Sequence, residues 1–317
     1  MKVVDILQQS KKPFVSYELV PPLKGNDVTR LYQFIEPLME FNPPFINITC
    51  HRDEIQFKER GDSSFEKVTI SKRPGMVAIV AAIIKRFEVE VVPHLICGGS
   101  SKQKLENDLL DLNFLGIQNI VALRGDAIQG EKFFTPEQNG FRYSYELVKQ
   151  IARMNSGIYL DENIVNGIKT EFCTGVAGYP EKHYEAPNQN EDILYLKKKI
   201  ESGAEYIITQ MFFDNQVFFD FVDKCREVGI TVPIIPGLKP ISTQRHIEML
   251  PRTFGIDIPE ELMKTIKQCK SEEQIYQAGV DWCIFQSKNL LQKGVPAIHY
   301  YTMGKADNVR AVLKEVF

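Results

Sequence analysis

Along the chain, short runs dense in Val, Ile and Phe alternate with longer stretches whose apolar residues recur every three to four positions. The first kind predicts strands buried on both faces; the second predicts amphipathic helices with one face on a core. Strands are predicted over residues 14–20, 45–49, 90–96, 120–123, 169–177, 206–211, 232–236 and 298–301. Helical spacing follows each of them: 28–41, 72–86, 102–115, 143–153, 191–202, 216–228, then 242–250 with two further helices in 258–290, and finally 306–316. This alternation predicts an α/β fold, a (β/α)8 TIM barrel forming a single domain over 1–317, because each parallel return needs a crossover helix. Residues 156–170 interrupt the pattern and read as an insertion or a hairpin. A doubly wound open sheet is the competing architecture. It would carry a glycine-rich nucleotide fingerprint, and the sequence has none. Gly98-Gly99-Ser100-Ser101-Lys102 lacks P-loop spacing and reads as a strand-to-helix turn.

In a parallel barrel the carboxyl ends of the strands share one mouth, so residues distant in sequence converge there. The run 120–123 ends in Arg124-Gly125-Asp126, a carboxylate after a turn glycine. Asp126 reads either as a site residue or as a turn cap, and both readings stand at this level. The other strand ends supply Glu18, Thr49, His51, His94, Tyr179, His183, Gln210 and Asp214. No two histidines share the close helical spacing of a zinc protease, so no metal is expected. A site built from His51, His94 and an acid is the alternative. A nucleophilic Cys50 assisted by His51 is disfavoured because neighbours on a strand point to opposite faces. For any single histidine, a hydrogen-bonded packing role is the plain alternative.

Composition narrows the partners. With 44% hydrophobic and 25% charged residues and a net charge of -3, the chain has no basic field for nucleic acid or an anionic membrane. The opening run 1–7 contains Asp5 and is not a signal peptide, and no apolar stretch is long enough to span a bilayer. Six cysteines, at 50, 97, 173, 225, 269 and 283, lack paired spacing, which argues against a disulfide framework and a zinc site. A cytoplasmic, reduced protein is expected. Asn47-Ile48-Thr49 fits a glycosylation sequon but lies in a predicted strand, where it is a chance match.

Seven motifs then fall in order at strand ends: Ser16-Tyr17-Glu18-Leu19-Val20-Pro21-Pro22, Asn47-Ile48-Thr49, Pro93-His94-Leu95, Leu123-Arg124-Gly125-Asp126, Tyr179-Pro180-Glu181-Lys182-His183, Thr209-Gln210-Met211-Phe212-Phe213-Asp214 and Ile235-Pro236-Gly237. Together they resemble the methylenetetrahydrofolate reductases, flavin-containing barrels, over nearly the whole chain. The resemblance implies a ping-pong reaction in one-carbon and methionine metabolism. NADH or NADPH gives hydride to FAD and leaves, and 5,10-methylenetetrahydrofolate then takes its place and is reduced to 5-methyltetrahydrofolate. A homo-oligomer is also expected.

Residue by residue, the resemblance makes Glu18 the acid that protonates folate N10. An ordinary Glu, with a pKa of about 4.3, is ionised at neutral pH, so burial must raise it; a surface cap is the plain alternative. Asp126 matches an aspartate beside the flavin pyrimidine and the folate, where negative charge disfavours anionic reduced flavin. Gln210 matches a residue that touches both substrates. FAD is held, on this reading, by Thr49, His94, Arg124, Gly125, Asp126, Tyr143, Ser144, Tyr179, His183, Ala186, Asp192 and Lys199, with Arg124 and Lys199 neutralising the pyrophosphate and Tyr179 packing on a planar group. Lys305 stands where relatives carry an arginine near the folate tail and is taken as substrate-binding. Other departures are Tyr195 in place of a smaller amide, Leu250 in place of an aromatic, and His51 where bacterial relatives often have glycine. The chain ends at Phe317, after the last barrel unit, so the S-adenosylmethionine-sensing domain of longer relatives, and its feedback, are not expected. Two rival functions are a flavin-free pterin methyltransferase and a non-enzymatic subunit supporting a redox partner.

Overall fold

A short helix, α1 (Val3–Gln9), precedes the first strand, β1 (Phe14–Leu19). The computed structural model describes residues 1–317 apart from 62, 63, 129, 130 and 132. After β1 come α2 (Val28–Ile35), a 3-10 turn (Glu36–Phe41) and β2 (Phe45–Ile48). Next are the strands β3 (Glu54–Glu59) and β4 (Phe65–Ile70), then α3 (Met76–Arg86), β5 (Glu90–Ile96), α4 (Lys102–Phe114) and β6 (Asn119–Leu123). The chain continues through α5 (Ser144–Asn155), β7 (Cys173–Gly178), α6 (Gln189–Glu201), β8 (Tyr206–Met211), α7 (Asn215–Glu227) and β9 (Ile234–Leu238). It closes with α8 (Arg245–Phe254), α9 (Glu260–Gln268), α10 (Glu272–Gln292), β10 (Ala297–Tyr301) and α11 (Asp307–Val316).

Eight of these strands close into a parallel barrel in the order β1-β10-β9-β8-β7-β6-β5-β2, with β1 also paired to β2. The predicted barrel is therefore the observed one. Two elements were not anticipated. The antiparallel hairpin β3–β4 leaves Phe57 and Phe65 exposed, so it carries no buried stripe for a periodicity to reveal. Helix α1 has only seven residues, short of the window over which a helical periodicity stands out. It plugs the amino end of the barrel, where Val3, Ile6 and Leu7 pack on Phe45, Val92, Val121 and Tyr206. Asn119 fixes this plug, accepting from the Val3 N–H at 2.8 Å and donating to the Met1 carbonyl at 2.8 Å.

Side chains alternate across each strand. The outward set, including Val15, Ile48, Val91, Ile120, Val176 and Ile298, packs under the helices in the main core. Helix starts are satisfied locally: Ser101 accepts from the Lys104 N–H at α4, and Asp214 from the Gln216 N–H at α7. Asp214 is thus a helix cap. Residues 156–170 contain turns and no strand, anchored where buried Glu106 accepts from the Leu160 N–H at 2.8 Å and from the Gln150 amide at 2.7 Å.

Candidate active site

The inward set of the same alternation lines a cavity of about 530 Å³ at the carboxyl end of the barrel. Of the residues singled out in the sequence, it brings together Glu18, Thr49, His94, Arg124, Gly125, Asp126, Tyr179, His183 and Gln210, with His51 at the rim. His299, Tyr301, Met303 and Arg52 also line it and were missed. His299 and Tyr301 were legible in principle, since their spacing by two in β10 continues the inward face that Glu18 occupies in β1.

Glu18 lies in register with Asn47 on one side and Tyr301 on the other. Burial pushes its carboxyl up to about 8, so it is neither the ordinary ionised carboxylate nor a surface cap. His94 Nδ1 is 3.8 Å from Glu18 Oε2. That separation would suit an ion pair, but burial, reinforced by His51, pushes His94 down to about 3. Near neutral pH the two are uncharged neighbours. The Asn47 amide lies 3.1 Å from His94 Nε2. With that amide donating, the ring proton sits on Nδ1 and faces Glu18. One layer below, His299 Nδ1 is 2.9 Å from the Ser16 hydroxyl, and burial pushes this imidazole down to about 3 as well. For His299 the packing role is the one the structure gives.

Gly125 turns the chain out of β6 at φ +83°, a left-handed conformation that suits glycine. The turn delivers Asp126 to the cavity, where its carboxylate accepts no hydrogen bond and pairs with no cation among the described residues. The turn-cap reading therefore lacks the bond it requires. Arg124 is committed differently. It pairs with Glu185, which sequence reasoning did not single out, and lies 4.9 Å over the Phe134 ring, yet its Nη2 is buried without a partner among the described residues. Gln210 Oε1 accepts from the Met211 N–H at 2.9 Å, leaving its amide nitrogen without an acceptor among the described residues. Tyr301 spans two neighbours by donating to the Thr209 carbonyl at 2.7 Å. Its ring lies where a β-carbon on Gly237 would collide with it, which is a physical reason for the Ile235-Pro236-Gly237 motif.

Tyr179 and His183 meet edge to face at 4.9 Å on the wall. Asp192 and Lys199 stand behind them: Asp192 accepts from the His183 N–H at 2.9 Å, and Lys199 donates to the Ala177 carbonyl at 2.9 Å. Burial, helped by Arg124 and opposed by Asp192, pushes Lys199 down to about 8. Tyr143, Ser144 and Ala186 lie outside the cavity lining. Tyr143 begins α5 and stacks on Tyr145 at 5.6 Å, and the Ala186 N–H donates to the His183 carbonyl at 2.9 Å. Lys305 lines a different cavity, with Ser242 and Asn308.

Two alternatives fall away. Among the described residues no group of three or more His, Cys, Asp and Glu could hold a metal ion, so His51, His94 and an acid do not form one. Cys50 is a poor nucleophile because burial pushes its thiol up to about 11, while burial and Arg73 push His51 down to about 4.

Compared with known proteins, residues 2–316 match the family model described as methylenetetrahydrofolate reductase. A Caenorhabditis elegans protein named probable methylenetetrahydrofolate reductase (NADPH) is 31% identical over 99% of this chain and 43% of its own length. The Arabidopsis thaliana methylenetetrahydrofolate reductase (NADH) 1 is 30% identical over 96% of this chain and 48% of its own. The chain thus spans about half the length of these relatives. Among solved structures, an uncharacterised Clostridium thermocellum protein that binds two copies of 5-methyl-5,6,7,8-tetrahydrofolic acid superposes with a TM-score of 0.58 at 15% identity, covering 98% of this chain and 96% of that one. That likeness concerns the fold.

Proposed function

The chain belongs to the methylenetetrahydrofolate reductase family, and on that premise we propose that it reduces 5,10-methylenetetrahydrofolate to 5-methyltetrahydrofolate with NADH or NADPH, using FAD and one shared site. The observation that carries this reading is Glu18, a carboxyl held protonated to about pH 8 in the same cavity as Asp126 and Gln210. A proton donor at neutral pH is what opening the folate ring at N10 requires.

The residues fit a flavin dinucleotide. Arg124 keeps one buried guanidinium nitrogen without a partner among the described residues, and Tyr179 presents a planar ring on the cavity wall. When bound, FAD would supply the hydride relay between the nicotinamide and the one-carbon unit. Thr49, His94, Arg124, Gly125, Tyr179 and His183 would hold it from the wall, with Asp192 and Lys199 behind them; Tyr143, Ser144 and Ala186, outside the cavity lining, would join them on the strength of the resemblance alone. Glu18 keeps the proton for N10 because ionising it in this buried position is unfavourable, with the neutral His94 ring as its neighbour at 3.8 Å. Asp126 supplies a negative charge and an acceptor for the pterin. The Gln210 amide, donor and acceptor at once, serves two different planar substrates. A cytoplasmic location accords with this chemistry; among the described residues no helix is long and apolar enough to cross a membrane.

An anaerobic spectral titration tests the proposal. The purified protein should be yellow with an FAD spectrum, be bleached by NADH or NADPH, and regain its colour on addition of methylenetetrahydrofolate. A colourless protein that turns over without flavin, or a flavin that the folate never reoxidises, would sink it.

A further inference from the structure

Among the described residues β3 and β4 form a sheet of their own, paired from Glu54–Ile70 out to Glu59–Phe65, and no barrel strand joins it. Two strands alone are marginally stable in water, and a hairpin gains its stability by packing a face against something else. Residues opposite one another in an antiparallel pair share a face. One face of the hairpin therefore carries Ile55, Phe57 and Glu59 from β3 beside Thr69, Lys67 and Phe65 from β4. At its barrel end Ile55 lines the main cavity. Farther out, Phe57 is 68% and Phe65 65% exposed. An apolar patch with a polar rim marks an interaction surface.

The charges say what fits this face. Glu66 and Glu54, on the other face, pair with Arg60 at 3.2 Å and with Lys72 at 3.4 Å. Glu59 and Lys67, on the aromatic face, are exposed and have no partner among the described residues. Phe57 lies opposite Lys67 and Glu59 opposite Phe65, so the phenylalanines occupy one diagonal of a quartet and the opposite charges occupy the other. We propose that this face is the interface of a two-fold dimer of the chain. A two-fold contact sets one patch against itself, so the patch must be self-complementary. With the axis along the Phe57–Phe65 diagonal, each phenylalanine meets its own copy and Glu59 meets Lys67 of the second copy, twice over. The other diagonal would set Glu59 on Glu59 and Lys67 on Lys67, and an axis along or across the strands would set each phenylalanine on a charge. Only the first orientation satisfies all four residues, and it makes the two hairpins cross steeply. A two-stranded face is a small interface, so the association is weak and concentration-dependent.

Sedimentation velocity over a concentration series tests this on the full chain. The parent should show a monomer–dimer equilibrium. Phe57→Ser, Glu59→Lys and Lys67→Glu should each raise the dissociation constant about tenfold or more, because like charges or a lost apolar anchor across an interface are strongly unfavourable. The double variant Glu59→Lys/Lys67→Glu exchanges the two charges and should return the constant to within about threefold of the parent's, a rescue that general damage to the hairpin would not give. All three positions are exposed, so the variants should unfold at the parent's temperature. A parent that stays monomeric at every concentration overturns the proposal; if Phe57→Ser then weakens binding of NADH or 5-methyltetrahydrofolate, the face belongs to a ligand of the adjoining cavity. A dimer indifferent to these variants, or single charge reversals that the double variant fails to rescue, overturns it as well.

Discussion

The same eight strands present two different interiors. At the amino end, Phe45, Val92, Val121, Tyr206 and Ile235 fill the barrel with apolar surface, and α1 seals it. At the carboxyl end, Glu18, His94, Asp126 and Gln210 face a cavity. The two ends belong to one parallel barrel, with a register irregularity between Ile208 and Met211 at the carboxyl end of β8. What differs is how each inward position is satisfied. Below, burial removes apolar surface from water; above, it holds titratable groups in their neutral forms, as the shifts of Glu18 and His94 in opposite directions show. Burial thus contributes stability at one end and chemistry at the other.

Breaking the lower half should cost the most. Phe45→Ala empties a fully buried position at the floor and should lower unfolding stability by about 3–5 kcal/mol. Denaturant unfolding measures the loss, and the pH dependence of the reaction should stay that of the parent. An altered pH profile would mean that the two ends are not separable.

Glu18→Gln tests the upper half. Nicotinamide oxidation needs no proton on N10 and should persist, whereas reduction of methylenetetrahydrofolate should fall by on the order of 10²-fold or more. Stopped-flow measurement of the two halves decides this, and equal slowing of both would remove Glu18 from the acid role.

The pH dependence sharpens the same point. Because the acid must be protonated, the folate half should decline as pH rises through about 8, and Glu18→Gln should erase that limb. The folded pKa lies above the unfolded one. The folded state therefore holds the proton more tightly, and the Glu18 contribution to stability falls as pH rises from about 4.5 toward 8. Thermal unfolding of parent and variant across that window should converge at low pH and separate at high pH, with the variant the less pH-sensitive.

The smallest expected effect comes from Asp126→Asn, which keeps the shape and deletes the charge. The flavin midpoint potential should rise and the folate half should slow, though less than in Glu18→Gln. An unchanged potential with both halves intact would confine Asp126 to shaping the turn.

How much of this could be read without coordinates follows from where burial leaves a pattern. β5 and β8 were legible to the residue because they are short, mostly apolar runs between turn signals. The strand expected from 169 begins only at Cys173, because Thr170 and the Phe172 N–H bond instead to the Asn155 side chain. Strand ends located most of the cavity, since a barrel brings them to one mouth. Glu185 escaped because its meaning depends on an arginine partner far away in the sequence, which no local pattern encodes.

The Tyr301 ring and the bare α-carbon of Gly237 constrain the evolutionary path as well as the fold. A side chain at 237 and the full ring at 301 exclude one another, so the two positions are epistatic. A β-carbon at 237 would also collide with the Thr209 backbone carbonyl oxygen, so shrinking residue 301 alone does not make Gly237→Ala tolerable. Because Tyr301 lines the main cavity and Gly237 does not, a lineage that abandons the glycine must change the wall of its own site and shift the β8 backbone at Thr209 as well.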